Sequence, residues 1–211
     1  MQIRVTGGTH ARSMSDTLQR VGWQGRAIAR LPALLMGIAI AGLWIYGPVA
    51  QFENYHDFAD QRRLWGVPHA LNVLSNLGFA PVGLWGLYRT EGMRALPGLA
   101  RGARGYQLFL VSLVLTAFGS GYYHLDPNDA RLFWDRVPIA LASAGLLAAV
   151  HAETSPRTPS RDFTWALAAA GVASVVWWTW TARRGAGDLG PYLLMNLMPL
   201  VLIPLWQGIH G

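Results

Sequence analysis

A run of about 20 mostly apolar residues is long enough to cross the hydrocarbon of a bilayer as a helix. This 211-residue chain has six such windows, near 31–50, 69–88, 105–124, 133–151, 163–181 and 191–209. Hydrocarbon offers no water to backbone N–H and C=O groups, so a segment that crosses it must satisfy them internally. The expectation is an all-α, polytopic transmembrane helix bundle of six spans, forming one domain over 31–211. Composition agrees, because only 13% of residues are charged, against roughly 25% in soluble domains. Ten tryptophans fit the same reading, since indole rings favour the boundary between hydrocarbon and water.

Residues 1–30 carry five arginines together with Ser13, Ser15 and Asp16, too long and polar a stretch for a secretory leader, and are expected to form a cytoplasmic arm. Arginine asymmetry in short loops sets the orientation: five in the arm and four in 89–104, against two in 51–68, one in 125–132 and two in 182–190. The N-terminus is therefore expected inside. The net charge of +6 comes from arginine alone, with no lysine. Those arginines are scattered among loops instead of forming one basic face, which argues against a nucleic-acid partner. With no cysteine, disulfides and thiolate metal sites are excluded, leaving His, Asp and Glu as the strong metal ligands.

The outward ends of the spans gather most of the remaining polar side chains. In GSGYYHLDPNDARLFWDRVP, residues 119–138, Ser120 and His124 are spaced i, i+4 and share a helix face about 6 Å apart along the axis. Thr116 extends that stripe inward. Asp135 begins the fourth span at a similar depth, and so short a connection makes the two helices neighbours. On the second span His69, Asn72 and Asn76 share a face, with Ser75 beside them. The loop before it brings Glu53, His56, Asp57 and Asp60, and the sixth span enters with Tyr192 and Asn196. Singly, these residues have structural explanations in back-bonding hydroxyls, helix capping and interhelical amide contacts. Ionisable groups from several helices at one depth point instead to a functional site. Trp177, Trp178 and Trp180 are expected to form an aromatic girdle at that interface.

The motifs in this region resemble those of alkaline ceramidases and the wider CREST group of membrane hydrolases. The match rests on G-S-x-x-Y-H ending at His124, on W-D-x-x-P with its aspartate eleven residues further on, and on N-V-L-S-N at 72–76. The resemblance implies a seven-helix hydrolase that cleaves the amide of ceramide or a related N-acyl lipid. It implies that His124 is one of three zinc ligands, that Ser120 steadies the oxyanion and that Asp135 takes a proton from the attacking water. Asn72, Ser75, Asn76, Tyr123 and Asn196 are expected around the pocket on the grounds of side and depth. Zinc suits such chemistry, since it can bring the pKa of bound water to about 7.

The chain departs from the family pattern in three places. Six spans are expected where the family has seven. The family's His-x-x-x-His is absent from the last span, PYLLMNLMPLVLIPLWQGIHG, where Asn196 stands in its place. The family's calcium-binding acidic segment is echoed only by ENY at 53–55, so calcium is not expected. His56 and His69 lie on the correct side to replace the missing ligands and would complete a four-coordinate zinc with His124 and water. The alternative is a non-enzymatic, lipid-binding or receptor-like protein of the same fold, with the bilayer and its lipids as partners in either case.

The orientation is directly testable, because any introduced cysteine is unique. Asp126→Cys is expected to react with a membrane-impermeant maleimide in intact cells, and Arg101→Cys only after the membrane is opened. The reverse pattern would overturn the assignment.

Overall fold

The computed structural model describes Ile28, residues 30–155 and residues 161–210. Apart from Ile28 and Arg30, the N-terminal arm lies outside the described residues, as does Arg157 of the 152–162 loop. The described chain is an all-α bundle: α1 (Arg30–Tyr46), α2 (Ala70–Asn76), α3 (Phe79–Arg94), α4 (Pro97–Ala100), α5 (Ala103–Leu125), α6 (Asp129–Thr154), α7 (Arg161–Ala182) and α8 (Gly190–His210). Five apolar stretches are long enough to cross a membrane: Ala70–Thr90 through α2 and α3, then one in each of α5, α6, α7 and α8. The protein is a multi-pass membrane protein. The first expected window yields the 17-residue α1, about 25 Å long at 1.5 Å per residue. It stops at Tyr46 because Gly47, at φ +89°, takes the left-handed turn and Pro48 follows.

Two boundaries differ from expectation for identifiable reasons. The second span is broken between Asn76 and Phe79. Pro81 has no N–H to return to the Leu77 carbonyl, which accepts from Ala80 N instead (3.2 Å). The fourth span starts earlier than expected, at Asp129, because Asn128 caps it by accepting from Arg131 N at 3.0 Å. Asp135 is therefore nearly two turns inside α6 rather than at its start.

Helix α6 is central, with α5 on one side and α7 and α8 on the other. Since lipid and apolar side chains attract apolar surface about equally, close backbone packing must hold such helices together. Glycines permit it. A Cβ on Gly105 would lie 2.3 Å from Ala149 N, one on Gly145 2.5 Å from Phe109 N, and one on Gly119 2.1 Å from the Trp134 carbonyl oxygen. That last carbonyl is four residues before Pro138 and so lacks a helical N–H partner.

The apolar core lies at the end where α5 finishes and α6 begins, built on Tyr123, Leu132, Ala140, Val175, Trp178 and Leu189. The connection from 47 to 69 closes over this end. Asp188 pins its start, accepting from Val49 N (3.0 Å), Gly190 N (2.8 Å) and Trp177 Nε1 (2.9 Å). Burial works to raise the Asp188 carboxyl, but these hydrogen bonds outweigh it and hold it below the ordinary value of 3.8. The expected tryptophan girdle needs one correction. Trp177 and Trp180 are 44% and 45% exposed, whereas Trp178 is 1% exposed and belongs to the core.

Gly119→Ala should force α5 and α6 apart beside Ser120, at a cost of about 1–3 kcal/mol. Thermal unfolding in detergent is expected to show a lowered Tm. Gly121→Ala, where an added Cβ meets nothing within 4 Å, should be close to neutral, and equal losses in the two variants would refute the packing argument.

Candidate functional site

Two helices supply the centre of the site. Helix α5 presents Ser120 and His124 one turn apart near its end, and α6 presents Asp135 against them. Ser120 and Asp135 are buried, 5% and 8% exposed, and face one another from the two helices. His124 is half-buried one turn further along α5. Two atoms here are buried without a partner: Asp135 Oδ1 and His124 Nδ1. Buried polar atoms in native proteins are ordinarily paired with protein or water. An acceptor and a ring nitrogen left open together mark a place for a polar group brought by water or a ligand.

The expected histidines arrive in different states. The His69 backbone takes a left-handed conformation, φ +45°, just before α2. Its Nδ1 donates to the Asp60 carbonyl at 2.7 Å, which leaves Nε2 as the ring's acceptor when the imidazole is neutral. The Asp60 carboxylate meanwhile accepts from Arg62 N (3.2 Å), Leu71 N (2.9 Å) and Asn72 N (3.4 Å). Desolvation acts to raise its pKa, but these N–H groups and the Arg62 charge prevail and lower it. Asp60 is thus committed to ordering the start of α2.

His56 is not free to join His69 and His124. Its Nε2 meets Asp129 Oδ1 at 3.1 Å, and a carboxylate can only accept, so Nε2 donates; Nδ1 is left to accept from the Tyr123 hydroxyl at 2.9 Å. The Phe58 ring also stands against both other imidazoles, with centroids 4.7 Å from His124 and 5.6 Å from His69. Among the described residues no three His, Asp or Glu side chains are grouped so as to hold a metal ion. The expected His124, His69 and His56 set is not assembled. A catalytic zinc needs three protein ligands, so the described residues do not fit one.

Other expected pocket residues are spent elsewhere. Asn196 accepts from Ser143 Oγ and donates to the Tyr192 carbonyl, both at 2.8 Å, fastening α8 to α6 two turns deeper than Asp135. Ser75 Oγ and Asn76 Nδ2 both donate to the Asn72 carbonyl, at 3.1 and 2.6 Å, within α2. Thr116 bonds back to the Ser112 carbonyl at 2.8 Å. Tyr123 is 2% exposed and belongs to the core, its hydroxyl reaching the covering loop through His56.

The residue the sequence reading missed is Arg136, 2% exposed at the same level as Asp135. Its guanidinium carbon lies 4.0 Å from the Trp178 ring centroid, 5.1 Å from that of Tyr55 and 5.3 Å from that of Tyr192. Its Nη2 donates to Gln51 Oε1 at 2.8 Å. The signal was present in W-D-R-V-P, where a second charge inside an apolar span marks a functional residue.

No protein-family model matches this chain, and no curated protein and no solved structure matches it significantly.

The donor geometry has a measurable consequence. Metal analysis of the purified chain is expected to find well under one zinc per molecule, unchanged in His124→Ala. One zinc per chain, lost in that variant, would show that donors outside the described residues complete the centre.

Proposed function

We propose that this protein is a ceramidase-like membrane hydrolase acting on the amide of ceramide or a related N-acyl lipid, on the arginine-poor side of the bilayer. The observation that carries the reading is the meeting of Ser120, His124 and Asp135 at one end of α5 and α6 with two buried polar atoms left open. An amide group offers both an N–H and a C=O, the complement of that open pair. The resemblance of the 119–138 and 72–76 segments to the ceramidase motifs supplies the reaction class.

In this reading Asp135 accepts a proton from a water molecule as its oxygen adds to the amide carbon. The Ser120 hydroxyl turns from Asp135 to the carbonyl oxygen and steadies its developing charge. Collapse breaks the C–N bond, the proton passes to the departing nitrogen, and a fatty acid and an amine result. An apolar groove of about 500 Å³, lined by Leu115, Phe118, Gly119, Tyr122, Trp134, Val137 and Pro138, runs along the lipid-facing side of the same two helices. It offers room for an acyl chain beside the reacting group.

A second reading is a lipid binder that holds the same amide without cleaving it. It is favoured by one specific finding, the incomplete set of metal donors among the described residues.

Purified protein in nanodiscs, incubated with labelled N-acyl lipids with and without chelator, separates the two. Hydrolysis is expected, with Asp135→Asn reducing it about 10²–10⁴-fold and Ser120→Ala about 10²–10³-fold. Retained lipid binding without turnover in the unaltered protein would establish the second reading in place of the first.

A further inference from the structure

We infer that the furrow between α5 and α7, on the arginine-rich side of the bundle, binds one anionic phospholipid. Helix α6 returns the chain between these two helices, so α5 and α7 run parallel and begin on the same side. Both pack chiefly on α6, which leaves a furrow of about 540 Å³ between them, lined by Arg104, Gln107, Leu108, Val111, Thr164 and Trp165. That volume is within the range of roughly 300–1,000 Å³ typical of small-ligand sites. It lies at the opposite end of α5 from Ser120 and His124, and nothing in it depends on the hydrolase reading.

The order of side chains along the furrow is that of a lipid. Arg104, Gln107, Leu108 and Val111 fall at i, i+3, i+4 and i+7, one stripe of α5. Arg104 is the second residue of that helix and Thr164 the fourth of α7, so both stand where a span begins. Val111 is about 10 Å deeper than Arg104 at 1.5 Å per residue. Polar groups thus occupy the mouth and apolar ones the depth of a single furrow. Trp165, 65% exposed at its rim, puts an indole at the same level as the arginine.

The mouth is also unpaired. Among the described residues the Arg104 guanidinium, the Gln107 amide and the Thr164 hydroxyl have no hydrogen-bond or ion-pair partner. Arg101, three residues earlier, is by contrast committed to the Ser155 carbonyl. An amide left open one turn inside a span is costly unless a polar group meets it. A phosphodiester supplies charged acceptor oxygens for all three donors, and guanidinium matches its geometry. No acidic side chain lines the furrow; Asp162, two residues before Thr164, points about 200° away from it around α7. The ammonium of a zwitterionic headgroup therefore finds Arg104 and no counter-charge, which selects a headgroup of net negative charge. Leu108 and Val111 then receive the start of an acyl chain.

Binding is measured by native mass spectrometry and thermal unfolding of the full chain in detergent. The probes are phosphatidylglycerol, phosphatidylcholine and diacylglycerol with identical chains, and glycerol phosphate as the head alone. Phosphatidylglycerol is expected to bind one per chain, at least about tenfold more tightly than phosphatidylcholine or diacylglycerol, as charge-assisted hydrogen bonds imply. Glycerol phosphate should not bind measurably. Arg104→Gln should remove the preference, and Val111→Trp, which fills the apolar half without touching a charge, should weaken phosphatidylglycerol binding. Arg183→Gln, an exposed arginine at the other end of α7, should change neither. Equal binding of the two phospholipids, binding of glycerol phosphate as tight as that of the lipid, or a preference that survives in both furrow variants would each overturn the inference. So would an equal loss in Arg183→Gln, which would reduce the effect to net charge.

Discussion

The close approach of α5 and α6 is the constraint on which the rest depends. Lipid gives these helices no hydrophobic reason to associate, so their contact relies on dispersion and on small groups that let backbones meet. Gly105, Gly119 and Gly145 provide that contact along almost the whole length of the pair. Gly119 matters most for the site, because it seats α5 against the Trp134 carbonyl and so sets the next residue, Ser120, beside the residue after Trp134, Asp135. The spacing of motif residues along the chain becomes a spacing in space only through this contact.

Much of the architecture could be read from apolar run length, because a bilayer imposes one length scale on every span. What escaped were local events that run length does not encode: the break forced by Pro81, the early start of α6 at the Asn128 cap, and the stop of α1 at Gly47. The centre of the site was legible for the same kind of reason. Ser120 and His124 follow helical periodicity, and a connection of a few residues makes the next helix a neighbour. The loop from 47 to 69 was not legible. Its histidines were placed on the correct side, but side and depth do not say which atom a ring nitrogen will meet. Asp129 and Tyr123 claimed His56, and Phe58 packs against both His69 and His124.

That loop gives the polar end of the bundle its character. Gln51 joins Arg136 to Asp129, His56 joins Tyr123 to Asp129, and Phe58 rests on three other rings. Each attachment is one a polar ligand competes with, so entry from the aqueous side requires several contacts to yield together. Entry from the bilayer asks for less. The grooves beside α5 and α6 and beside α7 and α8 both open on faces whose large apolar side chains are exposed, Phe118 and Ile40 among them. The bilayer side is the direction the loop does not guard.

The register of α6 ties the two halves of the site into one electrostatic unit. Asp135 and Arg136 are consecutive, buried side chains of opposite type. Each nonetheless keeps unpartnered atoms, because the helix turns one toward α5 and the other toward α7 and α8. Two buried charges that fully paired with each other would form an inert core contact. Held a residue apart, they stay available to different ligands while sharing one field.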